Sequence, residues 1–482
     1  MKLLKVCHSL IIFLLIFSTL SISLQASSKK NHAAVRKSSL SKPPKTSHKN
    51  TPYRRGSLAL NPEGTLSEQM DYILRETGLN ACLVGLKAVE LGSGKILFEK
   101  NPDQPMNPAS NTKIVTEAAS LDLLGPHYTF KTDFLSEASI DPDGKLHNIW
   151  IRGYGDPVFT TEEMEAVVDA FVDAGLKEIS GNVYIDDSYF GNDHNIHYSS
   201  RSGGKDYTIV LGALSYNFNR GQIKLSQSSE EEAEQTTINF RKKSSRKNRS
   251  RRKAIIKKRT INAAQNPALA FGTAFIQAME SNGIDIKGKV IEGIAPQGST
   301  KVLTHHSPEL SEVLKGMGKF SNNFIAEQVL RVIGGEKYGE PASLDKGLEA
   351  AREYLTSLGI DSHEFALDNG SGLSLYNRLS PSQFIEILKA VYRSPYRDEF
   401  IDSLSIAGTD GTLKRRLKVP ELMGKVFAKT GTLNEVSSLS GYLFLNRKRI
   451  AFSLLLNDVT IPHDRLVIAK QEILRSIARE FE

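Results

Sequence analysis

Apolar spacing along the chain predicts a mixed α/β protein. Ala81 to Phe98 and His147 to Gly153 carry strand-like apolar runs punctuated by Gly or Asp-Pro. Ser110 to Leu124 and Asn322 to Ile333 instead repeat their apolar positions at the helical interval. In the first of these helices Ile114, Val115, Ala118, Leu121 and Leu124 form one face to be buried. Asn107-Pro108-Ala109 breaks the chain before it, and Gly125-Pro126 ends it. Towards the C-terminus, Lys425 to Lys429, Ser437 to Leu445 and Arg449 to Asn457 read as successive strands, and Asp464 to Phe481 as an amphipathic helix. No repeat of roughly 20–50 residues interrupts this order.

The N-terminal pattern is different. Lys2 and Lys5 precede an apolar run from Leu10 to Leu24, and a polar segment starts at Ser27. This is the layout of a secretory signal peptide with Ala26 as the last residue removed. An uncleaved anchor stays open as the alternative, because the run is only slightly short of a span. Either reading puts the rest of the chain outside the cytoplasm, in the periplasm or cell envelope. Cys7 would leave with the signal, so Cys82 has no partner for an internal disulfide.

Composition adds the location of the charge. The chain has 482 residues, 40% hydrophobic and 24% charged, which is ordinary for a soluble protein of two to four domains. Its net charge of +8 is concentrated in two stretches. Residues 27–58 are rich in Ser, Lys, Arg and Pro, and read as a disordered basic linker. The second stretch, Arg241 to Arg259, follows the acidic cluster Glu230 to Glu234 and reads as an exposed loop. Neither has the interleaved aromatics of a nucleic-acid surface, and both follow an export signal, so no nucleic-acid partner is expected. Peripheral contact with acidic envelope polymers or a membrane surface is the functional reading of such runs, and a solvated segment the plain one.

Three short motifs carry the candidate chemistry: Ser110-Asn-Thr-Lys113, Ser321-Asn322-Asn323 and Lys429-Thr430-Gly431-Thr432. A Ser-x-x-Lys arises about twice by chance in such a chain, whereas Lys-Thr-Gly is expected about 0.1 times. The ordered set is therefore far more specific than its first member. On a helix, residues three apart lie side by side, so Lys113 reaches the Ser110 hydroxyl. A lysine shielded from water and crowded by cations loses proton affinity and can act as the base that activates a serine. Ser321 can relay a proton to the leaving amine, and the Asn323 amide can pair with a peptide backbone. Lys429, with the hydroxyls of Thr430 and Thr432, suits a peptide carboxylate. The backbone N–H groups of Ser110 and Thr432 would form an oxyanion hole.

The three motifs in this order resemble those of penicillin-binding proteins and serine β-lactamases. The surrounding text is similar to the class C low-molecular-mass group, the D-alanyl-D-alanine carboxypeptidases/endopeptidases. The similar passages are Met106 to Lys113, Gly155-Asp-Pro157, Asp368 to Ser374, Tyr376 to Pro381, Gly408 to Thr412 and Ala428 to Leu433. The resemblance runs from about Gly64 to the C-terminus and is weakest between Ser226 and Thr260. It implies a transpeptidase-like domain, with an antiparallel sheet flanked by helices plus a helical subdomain, in two parts at 59–132 and 301–482. A mixed domain at 133–300 would be inserted between them. The resemblance further implies that Asp156 reaches from the insert towards the amine of the substrate side chain. It also implies a penicillin-binding enzyme that cleaves peptidoglycan stem peptides through an acyl-enzyme and is acylated by β-lactams. Such a mechanism needs no cofactor.

Two features depart from the group. Leu375 stands where an Arg often follows the Gly-Ser-Gly-Leu-Ser segment, which leaves recognition of a diaminopimelate carboxylate open, although Arg378 is near. The basic Arg241–Arg259 stretch replaces more ordinary domain sequence. Two other readings compete. A serine β-lactamase would use a loop glutamate, for which Glu340-Pro341 is a faint candidate within a loop before the Leu348 helix. A non-catalytic peptidoglycan-binding scaffold would have no need for all of Ser110, Lys113, Ser321, Asn323 and Lys429. His194, His197 and the His305-His306 pair lack zinc-signature spacing and read as loop residues.

Overall fold

The computed structural model describes residues 64–481, apart from 192–194, 199–206, 220–221, 226–258 and 263–265. All of these belong to the unit Ser57–Glu482. The signal-peptide, linker and basic-loop readings fall on residues outside those described.

One six-stranded sheet draws its strands from both ends of the described chain. Its strands are β1 (Leu83–Glu90) and β2 (Ile96–Lys100) from the start of the chain, and β8 (Ser405–Ile406), β9 (Val426–Leu433), β10 (Val436–Phe444) and β11 (Arg449–Asn457) from its end. They lie in the order β8-β9-β10-β11-β1-β2, antiparallel throughout. Alternation along β1 explains how both faces are covered. Val84, Leu86 and Ala88 enter one core with α1 (Leu66–Thr77) and α10 (His463–Arg479), while Val89 enters the core on the other side. Thr65 caps α1 with a reciprocal bond to Glu68, which fixes where that helix begins.

The second face carries a helical layer centred on α2 (Thr112–Leu124), which is surrounded by α5 (Leu310–Phe320), α6 (Asn323–Tyr338), α7 (Leu344–Ser357), α8 (Pro381–Arg393) and α9 (Arg397–Ser403). The amphipathic pattern predicts one buried face for α2, but every residue from Thr112 to Leu121 is buried. Its three hydroxyl side chains are bonded: Thr112 Oγ1 donates to Ala109 O (2.9 Å), Thr116 Oγ1 to Gly370 O of a distant loop (2.9 Å) and Ser120 Oγ to Glu117 O (2.9 Å).

Between α2 and α5 the chain builds a mixed five-stranded sheet from β3 (Thr129–Ser136), β4 (Ile149–Gly153), β5 (Val183–Asp186), β6 (Val290–Glu292) and β7 (Thr300–Glu309), in the order β6-β5-β4-β3-β7. Helices α3 (Thr161–Asp173) and α4 (Pro267–Ser281) close a separate core on it, with Phe134, Phe171, Phe271 and Phe275 at its centre. Gly155, at φ +83°, has no room for a Cβ, which would lie 2.8 Å from both Phe190 and Val332 of α6. The Gly-Asp-Pro turn is thus packed onto the helix that follows the second motif.

Candidate active site

Three elements meet at one corner of the main sheet. Ser110 does not open the α-helix as the apolar pattern predicts; it sits in a 3-10 turn, Ala109–Asn111, and α2 starts at Thr112. Ala109 is held at φ +48°, a conformation that costs an L-residue energy and persists only where surroundings impose it. The surroundings are visible. Asn107 Oδ1 accepts from Ala109 N (2.8 Å), and Asn107 exchanges two bonds with the Asn457 side chain, each 2.9 Å. Gly372 presses on the same turn, since a Cβ there would lie 1.9 Å from Ala109 O and 2.9 Å from Ser110 N. Two glycines therefore clamp the turn, because Gly431 of β9 is equally tight: a Cβ would lie 3.0 Å from Ser110 N.

Lys113 is fully buried, and its amine has three neighbours. It lies 3.3 Å from Ser110 Oγ, donates to Asn323 Oδ1 at 2.7 Å and donates to the Ser371 carbonyl in a short contact. The two carbonyl oxygens are acceptors only, so they take two N–H bonds, and the hydroxyl is the one neighbour that can give a proton. A neutral amine with two N–H groups and one lone pair satisfies all three. Electrostatics agree: burial and the nearby Lys429 cation hold Lys113 well below the ordinary lysine value, against the opposing pull of Glu327.

Ser321 ends α5 in the left-handed conformation, φ +56°, and there accepts from Lys429 Nζ at 2.8 Å. Lys429 also donates to its neighbour's carbonyl, Thr430 O, at 2.9 Å. Burial pushes the Lys429 amine down to about 7, with Glu117 pulling the other way. Thr430 Oγ1 donates to Thr412 Oγ1 (2.9 Å), which lies 3.1 Å from Ser405 Oγ. Thr432 is exposed, opposite Ser437 in the ladder. Strand β8 pairs only with Phe427 and Ala428, so the outer edge of β9 from Lys429 onwards has no strand partner among the described residues. An extended peptide can add to such an edge.

Hydrogen bonds thus join Ser110, Lys113 and Asn323 in one group and Ser321, Lys429 and Thr430 in another. Asp156 is bonded to neither. It is buried in its turn, with Oδ1 accepting from Val158 N (2.8 Å) and Oδ2 without a partner, and burial raises it to about 7. Arg378 turns to its own loop, donating to Leu375 O (2.7 Å) and Asn377 O (2.8 Å). Glu340 reaches Arg152 of β4 at 2.5 Å. Several contributors carry no residue-level signal. The Ser371 carbonyl is a backbone group, and Glu327, whose Oε1 accepts from Ser371 N at 3.0 Å, is simply a buried acid one helical turn after Asn323. Among the described residues no cluster of His, Cys, Asp and Glu could hold a metal. No described helix is long and apolar enough to cross a membrane.

Comparison with known proteins extends this picture over most of the chain. It is 28% identical over 440 residues to a D-alanyl-D-alanine carboxypeptidase of Actinomadura sp. (strain R39), covering 82% of each chain. It is 26% identical over 411 residues to the D-alanyl-D-alanine carboxypeptidase DacB of Haemophilus influenzae, covering 78% of this chain and 85% of that one. Its fold matches the crystal structure of penicillin binding protein 4 (dacB) from Haemophilus influenzae with a TM-score of 0.68 at 24% identity, over 85% of this chain and 99% of the other. A predatory endopeptidase from Bdellovibrio bacteriovorus shares the fold at a TM-score of 0.53 and 17% identity, over 83% and 92%. The model of the D-Ala-D-Ala carboxypeptidase 3 (S13) family matches residues 66–254 and 200–473, and the chain belongs to that family.

Proposed function

We propose that this exported enzyme cleaves D-alanyl-D-alanine stem peptides of peptidoglycan through a covalent ester on Ser110. The observation that carries the reading is the Lys113 amine, buried, depressed in proton affinity and 3.3 Å from the Ser110 hydroxyl. Lys113 takes the Ser110 proton as Oγ attacks the penultimate D-alanine carbonyl. The negative oxygen that forms is met by the backbone N–H groups of Ser110 and Thr432, which the tight Gly431 contact supports as close neighbours. Ser321, bonded to Lys429, passes a proton to the departing amine, so D-alanine leaves with its nitrogen neutralised. The terminal carboxylate lies against Lys429, Thr430 and Thr432 at the free edge of β9, while Asn323 pairs with the peptide backbone. Water then cleaves the ester and restores Ser110.

The same site can cut a D-alanyl cross-link when the leaving amine belongs to a neighbouring stem peptide. Asp156 is read as the group that meets the amine of the substrate's third residue; its unpartnered Oδ2 supports that role. Residues 133–300 are read as an inserted domain, and residues 1–26 as a signal peptide cleaved after Ala26. β-Lactams act as covalent inhibitors, in line with a structure of the Haemophilus influenzae penicillin binding protein 4 solved with one.

A fluorescent penicillin tests the site. Stable label on Ser110, located by mass spectrometry and lost in Ser110→Ala, together with D-alanine release from D-Ala-D-Ala peptides, is the expected result. Rapid loss of label with accumulation of hydrolysed drug would favour a β-lactamase. A folded protein that takes no label would overturn the serine reading.

A further inference from the structure

On the face of β9 opposite Lys429, a second group of cationic side chains has no part in the chemistry above. Successive residues of a strand point to opposite sheet faces, and Thr430, which meets the proposed carboxylate at the free edge of β9, has its other side towards α10. There it borders a cavity of about 20 Å³, together with Ser437 of β10, Arg416, and His463 and Lys470 of α10. Leucine and valine side chains make up the remaining wall, and no carboxylate lines it.

Lys470 is the anchor. It is buried, and its amine donates to Ser437 Oγ at 2.6 Å and to Ser438 O at 3.3 Å. Ser437 accepts this bond, which leaves its own hydroxyl proton free to turn into the cavity. Burial, reinforced by repulsion from Arg416, depresses the Lys470 amine to about 7. A buried ammonium beside a guanidinium is unfavourable when nothing of opposite charge is near. An anion between the two turns the repulsion into two attractions. His463, Leu466, Val467 and Lys470 border the cavity along one flank of α10.

Size selects the class of anion. A free space of about 20 Å³ suits a single occupant little larger than a water molecule. We propose that this cavity binds a single small monovalent inorganic anion of the halide class, held by Lys470, Arg416 and the Ser437 hydroxyl. Ser437 lies opposite Thr432 in the ladder, and Ser438 lies opposite Gly431. The occupant therefore braces the pair of strands that carries the third motif. The binding claim itself does not depend on the serine chemistry.

The test is thermal unfolding of the mature chain in mixtures of sodium chloride and sodium gluconate at fixed ionic strength and pH. The parent is compared with Lys470→Met and Arg416→Gln. Chloride at ten times its dissociation constant should raise the folding equilibrium constant of the parent about elevenfold. The response should be absent in Lys470→Met and weakened in Arg416→Gln. Crystals soaked in sodium bromide should show anomalous scattering between Lys470 and Arg416. A parent that ignores chloride, variants that respond as the parent does, or a cavity without bromide would each overturn the proposal. Arg416→Gln keeps the test open if Lys470→Met does not fold.

Discussion

Gly372→Ala isolates the role of packing behind Ser110, the proposed nucleophile. Gly372 has φ +79°, so any side chain there adopts a left-handed backbone at a cost of about 1–2 kcal/mol. The added Cβ would also lie 1.9 Å from Ala109 O, whereas real Cβ contacts do not fall below 3.0 Å, so the loop and the Ser110 turn must separate by about 1 Å. Forcing an extra methyl into a packed site typically costs about 1–3 kcal/mol more. The expected loss of stability is about 2–5 kcal/mol from the two terms together. A displacement of about 1 Å at a reacting group lowers rates by roughly 10²-fold. The second-order rate of penicillin acylation should fall by that order, measured beside thermal unfolding to correct for unfolded protein. Gly359→Ala is the control: φ is +82°, but no atom lies within 4 Å of the added Cβ. It should lose only the backbone contribution and acylate as the parent does. If Gly372→Ala acylates at the parental rate, the clamp on Ser110 is not what positions it.

Three further outcomes follow from the buried charges. Lys113→Met should slow acylation by about 10²–10⁴-fold, the range for loss of a general base, measured beside thermal unfolding because the Asn323 Oδ1 and Ser371 carbonyl lose their donor; a variant that acylates normally would remove Lys113 from the mechanism. Lys429 loses its proton near pH 7, so kcat/KM for peptides with a free carboxylate should decline above that pH, and Lys429→Arg should move the decline out of range; a parent profile flat to pH 9 would contradict it. Asp156, raised to about 7 by burial, holds more protons in the folded state than in the unfolded one between its ordinary value of 3.8 and 7. Stability should therefore fall as pH rises through that window, and urea unfolding of Asp156→Asn should show a shallower slope by one proton's share, Asp187 and Glu117 keeping theirs.

The fold was legible wherever burial leaves a periodic trace. The last three strands occupy Val426–Leu433, Val436–Phe444 and Arg449–Asn457, close to the runs their apolar residues mark. The pattern ended the first of them at Lys429, because Thr430-Gly431-Thr432 has no apolar signal; the strand continues since β10 pairs with it through Leu433. Helix α2 misled in the opposite way. Thr112, Thr116, Glu117 and Ser120 look like a solvent-facing stripe, yet the helices around α2 bury all four. Local spacing cannot register how many neighbours a helix acquires once the chain has folded. Glu117 is the sharpest case: burial raises it to about 8, although a glutamate at this spacing reads as surface.

The candidate site divides along a similar line. Its side chains could be picked out because acyl transfer by a serine needs a nucleophile, a base, a proton relay and a carboxylate receptor, and only a few residue types serve each need. What holds them is mostly backbone: the Ser371 carbonyl on Lys113, the φ of Ala109 and Ser321, and the absent side chains of Gly372 and Gly431. An alanine at φ +48° has no signature of its own, since the conformation is imposed by Asn457, some 350 positions away in sequence, acting through Asn107. The same backbone groups decide the chemistry. Had the third neighbour of Lys113 been another carbonyl and not a hydroxyl, a protonated amine with three N–H donors would satisfy the pocket better than a neutral one. One serine hydroxyl among two carbonyl oxygens lets a neutral amine keep every bond, so burial and the Lys429 charge can lower its proton affinity without leaving a neighbour unpaired.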